Sequence, residues 1–269
     1  MLLSLKEIDL QERSEFTSAL FQHEQIIRIG AGKSTVMHAL AGKVKESSKL
    51  RLEGLRYING QAITGSSQIP AAFVKQEVTF FPHMTVRETL AFRVELKLGS
   101  LLSKAAQAER VEELIQELNL EKAADTIVGD AKVRGVSGGE RRRLAIACEL
   151  ISSPSVIFLD EPTSGLDSTA ATSLVSALKS LADSGKTIVA VIHQPSQHVF
   201  SAFDDLLLVS EGKQMYFGET SKAREYMNKH VGTAPAEMGY VQRSFYYLRI
   251  VKSSISSLFF LPIELLSTY

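Results

Sequence analysis

Short, predominantly apolar runs alternate along the chain with longer amphipathic stretches. EQIIRIG (24–30), SVIFLD (155–160) and TIVAVIH (187–193) have strand length and few polar positions, the pattern of strands buried on both faces. STVMHALAG (34–42) and STAATSLVSALKSLADSG (168–185) carry helical spacing instead, and each ends on a glycine, Gly42 or Gly185, that predicts the helix stop. Strands and helices in this alternation predict an α/β fold on a largely parallel sheet. RLEGLRYINGQAI (51–63) sets Asn59-Gly60 between two β-rich runs and predicts a small antiparallel β layer. Beyond Val86 the period turns helical, with Val111, Leu114, Ile115 and Leu118 on one face and Glu and Gln between them, which predicts an inserted helical subdomain over about 86–150. DLLLVS (205–210) and KQMYFG (213–218) flank Glu211-Gly212 as a further pair of strands. One domain over 1–230 is expected, and residues 231–269 receive no assignment.

Composition narrows the partners. The 269 residues include 30 basic and 30 acidic side chains, so no net field draws the protein to nucleic acid, and no nucleic-acid partner is expected. Cys148, the single cysteine, lies in the apolar run LAIACELI (144–151), which excludes an intrachain disulfide and reads as a buried small hydrophobe in a reducing compartment. The start, MLLSLKEIDLQER, has charges where a signal peptide would have an apolar core. The tail SSISSLFFLPIELL is interrupted by Pro262 and Glu264 and is shorter than the roughly 20 residues that span a bilayer. No membrane span is expected in the chain as written.

Candidate chemistry sits in three places. IGAGKST (29–35) ends like a phosphate-binding loop, whose successive N–H groups curl around a phosphate. The full pattern sets a glycine five residues before Gly32, and that position holds Ile27. Lys33 can neutralise phosphate charge, and the Ser34 hydroxyl can complete a Mg²⁺ shell. VIFLD followed by EPTSGLD puts Asp160 and Glu161 at the carboxyl end of a buried strand, where one carboxylate can hold Mg²⁺ and the other can polarise an attacking water. The plain alternative is a strand that ends in an acidic turn. Ser137-Gly138-Gly139 opens a helix whose N–H groups and dipole attract an anion, or serves only as a helix cap.

Taken as a set, these residues resemble the ATP-binding cassette family. VSGGE (136–140) resembles its signature motif, FLDEPTSGLDS (158–168) its second acidic motif with the D-loop, VIHQPS (191–196) its switch-histidine strand, and FVKQEVTFFPHMTVRETL (73–90) its Q-loop. GVSGGERRR, IHQPS and DLLLVSEGKQMYFG resemble in particular the G subfamily of white, sterol and multidrug half-transporters. The resemblance covers about residues 24–220 and implies a P-loop NTPase core of the RecA-like kind.

It also implies roles, residue by residue. Gly30, Ala31, Gly32, Lys33, Ser34 and Thr35 would contact the phosphates of ATP, and Ser34, Gln76 and Asp160 would serve Mg²⁺. Glu161 would be the general base, with Gln76 and His193 as its catalytic companions, His193 at the γ-phosphate. Ser137, Gly138, Gly139 and Glu140 would form the signature that caps ATP on a second cassette, and Asp167 would couple the two sites. Implied partners are that second cassette, in a homo- or heterodimer, and a transmembrane domain, with the pair on the cytoplasmic face of a membrane and moving lipids, sterols or other hydrophobic compounds.

The match has departures. IGAGKST is about three residues shorter than the family loop, which puts Ile27 and Arg28 where Gly-like freedom is required. The expected membrane domain does not follow, so truncation or mis-splicing is one expectation. A second class of function is a degenerate cassette that only dimerises with or regulates an intact partner. A third, a soluble DNA-repair or translation ATPase, would need coiled-coil arms or a second cassette, and neither pattern occurs.

Overall fold

The computed structural model describes residues 2–4, 33–44, 56–58, 61–63, 71–192, 195–210 and 213–231. They fall into two units.

The first unit holds residues 2–6 and 68–193, and its frame is a sheet of β1 (Leu2–Ser4), β4 (Ala71–Val74), β5 (Val156–Asp160) and β6 (Thr187–Val191). β4 and β5 run parallel, with Ala71 opposite Val156 and Val74 opposite Leu159. β5 and β6 are also parallel, from Val156 opposite Thr187 to Asp160 opposite Val191. β1 lies antiparallel on the far side of β6, Leu2 opposite Ala190. Ile157, Phe158, Leu159 and Ile188 to Val191 are all buried, as an uninterrupted apolar strand requires. The crossover from β5 to β6 is the helix α5 (Ser168–Asp183), so this stretch is a βαβ unit.

Between β4 and β5 the chain makes three helices, α2 (Val86–Leu98), α3 (Lys104–Glu117) and α4 (Gly138–Leu150). α2 packs on α3 and α4, and α4 reaches β4 and α5. Val111, Leu114, Ile115 and Leu118 are 0–3% exposed, the face read from the periodicity. Thr85 starts α2 with a capping box: its hydroxyl accepts from the Glu88 N–H, and the Glu88 carboxylate accepts from the Thr85 N–H. α3 ends in a Schellman motif, with the Leu120 N–H on the Ile115 carbonyl and Asn119 at φ +52°. α5 ends the same way, with Gly185 at φ +97° and the Lys186 N–H on the Leu181 carbonyl.

The second unit holds residues 7–67 and 194–269. Its described elements are α1 (Lys33–Leu40), the antiparallel pair β2 (Arg56–Ile58) and β3 (Gln61–Ile63), α6 (Gln197–Ser201), the hairpin β7 (Asp205–Ser210) and β8 (Lys213–Glu219), and α7 (Ala223–Val231). Val36, Met37 and Leu40 are the buried face of α1, and Gly42 at φ +67° closes it through the bond from the Lys43 N–H to the His38 carbonyl. A register shift between Leu208 and Val209 bends the β7–β8 hairpin, and α7 lies on β8 through the Tyr216–Tyr226 contact, centroids 5.0 Å apart.

The molecule is thus α/β, with parallel strands, a small antiparallel pair and helices. The strand expected over 24–30, the turn Asn59-Gly60, Glu211-Gly212 and the tail lie outside the described residues.

Candidate functional site

Asp160 is the last residue of β5, and Glu161 follows it in the turn toward α5. Glu161 has φ +46°, a left-handed conformation uncommon for a side chain other than Gly or Asn. Backbone bonds hold it there: its N–H donates to the Val191 carbonyl at 3.0 Å, and its own carbonyl accepts from the Ser164 N–H at 3.1 Å. The parallel partner β6 therefore fixes where the carboxylate stands. Gln76, in the loop after β4, donates from Nε2 to Glu161 Oε2 at 3.3 Å. Two residues 85 apart in sequence, each singled out from a different motif, thus meet across the carboxyl ends of neighbouring parallel strands. Asp160, next to Glu161 in sequence, is half-buried, and carboxylate oxygens are hard donors of the kind Mg²⁺ takes.

The signature residues form the start of α4. Ser137 is the N-cap and shares a capping box with Glu140: the Glu140 N–H donates to Ser137 Oγ at 3.3 Å, while the Ser137 N–H and hydroxyl both donate to Glu140 Oε2, at 2.8 and 2.7 Å. Burial opposes ionisation of Glu140, but the two bonds from Ser137 and the charge of Arg143 outweigh it and hold the carboxyl below its ordinary value. Asp167 is the N-cap of α5, its carboxylate accepting from the Ala170 N–H at 2.6 Å. The two helix starts touch. A Cβ on Gly139 would stand 3.1 Å from the Ala170 Cβ, whereas one on Gly138 would meet only the end of the Leu166 side chain, at 3.5 Å. Gly139 is therefore the closer packing point between the starts of α4 and α5.

Three consecutive arginines follow, and sequence reading gave them no role. Consecutive helical residues point about 100° apart, so the run ERRR fans out instead of making one basic face. Arg141 donates to the Gly129 carbonyl at 2.7 Å and lies over the Phe80 ring, 5.4 Å from its centroid. Arg142 donates to the carbonyls of Lys75 and Gln76, at 3.1 and 2.6 Å. Arg143 reaches Ser173 Oγ on α5 at 3.4 Å. The signal that could have found them is their position one turn after a glycine helix start, where side chains face the elements packed around it. Cys148 on the same helix is buried as expected, and burial pushes its thiol up to about 12.

The remaining predicted residues belong to the other unit or lie outside the described set. Lys33, Ser34 and Thr35 form the first turn of α1, and Ser34 is half-buried. Gly30, Ala31, Gly32 and His193 lie outside the described residues. Among the described residues no helix is long and apolar enough to cross a membrane.

The strands and helices are those of an α/β protein, and comparison with known proteins gives the family. Residues 28–164 match the family model of the ABC transporter. ABC transporter G family member 7 of Arabidopsis thaliana is 48% identical over 193 residues, covering 72% of this chain and 26% of that protein. ABC transporter G family member 25 of the same plant is 46% identical over 208 residues, 77% of this chain and 31% of that protein. ABC transporter G family member 5 of Oryza sativa subsp. japonica is 46% identical over 194 residues, 72% of this chain and 24% of that protein. The chain belongs to the ABC transporter family, as a nucleotide-binding domain of the G subfamily, and so to the P-loop NTPases. ATP binding and ATPase activity are general properties of that family. The chain spans less than a third of the length of these curated relatives.

Proposed function

We propose that the chain is the ATP-binding and ATP-hydrolysing cassette of a G-subfamily transporter, with a RecA-like core, working as one half of an ATP-driven pair that moves lipids, sterols or other hydrophobic compounds across a membrane. The observation that carries the reading is the Gln76–Glu161 contact at the carboxyl ends of β4 and β5, with Asp160 adjacent. In this reading Glu161 takes a proton from the attacking water, and the Gln76 amide orients both. Asp160 would hold Mg²⁺ through water, where the ion supplies neutralisation of phosphate charge. Ser137, Gly138, Gly139 and Glu140 would face the ATP of a second cassette, and Asp167 would pass the state of one site to the other. The roles of Lys33, Ser34, Thr35 and His193 rest on the sequence pattern.

The proposed membrane-domain partner has a surface that suits it: Phe81, Phe92, Leu96 and Leu101 are 45–75% exposed, and Phe81 packs edge-on against Phe92, one helical turn from Leu96. Its place would be on the cytoplasmic face of the membrane.

The shortened loop IGAGKST favours a second reading, a cassette that does not hydrolyse ATP and only dimerises with or regulates an intact partner. Calorimetric titration of MgATP into the purified chain, with phosphate release measured alongside, separates the two. Binding with turnover that disappears in Glu161→Gln supports the first; binding without turnover supports the second.

A further inference from the structure

We propose that Arg142 is a positioning residue for hydrolysis, a clamp that holds the backbone at Lys75 and Gln76 in the one shape from which the Gln76 side chain reaches Glu161. This rests on the reading of Gln76 and Glu161 given above.

Successive carbonyls of an extended chain point to opposite sides. Those of Lys75 and Gln76 both come within hydrogen-bond distance of a single nitrogen, Arg142 Nη1, at 3.1 and 2.6 Å. The chain bends at Gln76, directly after β4 ends at Val74. A charged donor shared by two carbonyls stabilises that bend, and the bend sends the Gln76 side chain back toward the β5 end, where Nε2 meets Glu161 Oε2. Arg142 is half-buried with Nη1 on both carbonyls, so the side chain is lodged against the loop, and desolvation there pulls its guanidinium below the usual value. Its neighbours on α4 fix the helix that carries it: Arg141 is tied to Gly129 and Arg143 to Ser173. A rotation or slide of α4, the helix opened by the signature residues, would thus move the Gln76 backbone and with it the amide at the base. Coupling between the signature helix and the general base would run through one side chain and two carbonyls.

The test uses the full chain. Cys148 is the single cysteine, buried, with its thiol pushed up to about 12, so a nitroxide on Glu77→Cys labels the exposed loop position beside Gln76 and nothing else. Arg142→Ala is expected to sharpen the spectrum of that label to that of a mobile loop, and Arg142→Lys, which keeps a charge and three donors, to restore most of the parent line shape. ATP turnover is expected to fall about fivefold or more in kcat with KM unchanged in Arg142→Ala, and to fall no further when Arg142→Ala is added to Gln76→Ala. An unchanged label spectrum in Arg142→Ala overturns the clamp. Losses that multiply in the double variant overturn its action through Gln76. If Gln76→Ala turns over ATP like the parent while the label still loosens, the clamp stands and the catalytic reading of Gln76 is what fails.

Discussion

Glu161 carries two demands in one residue. Its carboxylate is the proposed base, and its backbone sits at φ +46°, where a side chain costs about 1 kcal/mol or more that glycine does not pay. Glu161→Gln keeps size and hydrogen bonding and removes the base, so turnover should fall by about a hundredfold or more while MgATP binding holds. Equal phosphate release by parent and variant would remove Glu161 from the mechanism. Glu161→Gly should behave in the opposite sense toward folding: relief at the positive φ offsets the added freedom of the unfolded chain, leaving stability unchanged or raised by up to about 1 kcal/mol in urea unfolding. A loss beyond about 1 kcal/mol would mean that the side chain, not the backbone, dominates there. Gly139 poses a similar test. With the Ala170 Cβ only 3.1 Å from where a Cβ would sit, Gly139→Val should cost about 1–3 kcal/mol more than Gly138→Val, whose neighbour is a yielding Leu166 methyl. Equal melting of the two would sink the close-packing argument. The place of Glu161 just past the end of β5 and the glycines that open α4 were legible in the sequence because residue type and local order express them. The positive φ of Glu161 was not, because the bond from its N–H to Val191 depends on a strand 30 residues downstream.

At the level of elements, the capping boxes at Thr85–Glu88 and Ser137–Glu140 begin α2 and α4 by the same device. Ser137→Ala should lower stability by about 1 kcal/mol, since the Glu140 N–H loses its acceptor and the Glu140 carboxylate loses a donor. The Glu140 carboxyl lies below its ordinary value of 4.5 in the folded chain, so its contribution is whole above that pH and fades as pH falls through the lower folded value. Glu140→Gln, which still accepts but does not titrate, should flatten that acid limb in a series of urea midpoints between about pH 3 and 6. An acid limb identical to the parent's would show that other carboxylates carry it. Strand and helix positions were largely readable: β5, β6, β7 and α5 lie where apolar runs and Gly185 put them, because continuous hydrophobicity and a left-handed stop are local signals. The fan of Arg141, Arg142 and Arg143 was not readable. A triplet of like charges has the composition of a solvated face, and only the elements packed around α4 give each guanidinium a different carbonyl, ring or hydroxyl.

For the whole molecule, the proposed function makes assembly depend on nucleotide. If Ser137 and the Gly139 amide reach the γ-phosphate on a second cassette, MgATP and not MgADP should drive the Glu161→Gln chain into dimers; sedimentation with equal monomer fractions in both nucleotides would count against a shared site. Binding itself is the prior question, and the stretch IGAGKST decides it. On the sequence pattern, a loop about three residues short would present fewer N–H groups to the β-phosphate and leave Lys33 as a point charge. Losing two charge-assisted hydrogen bonds at about 1.5–3 kcal/mol each lowers affinity at least roughly a hundredfold, which takes a Kd of about 10 μM into the millimolar range. Inserting Pro-Ser-Gly between Gly30 and Ala31 lengthens the curl ahead of α1 and should recover that factor, read as calorimetric affinities of both forms for MgATP. The Schellman end of α1 at Gly42 and its buried Val36, Met37 and Leu40 give the inserted loop a helix already closed and packed to dock on. Micromolar binding by the uninserted chain would mean that Ile27 and Arg28 supply a working curl without the glycine the pattern requires.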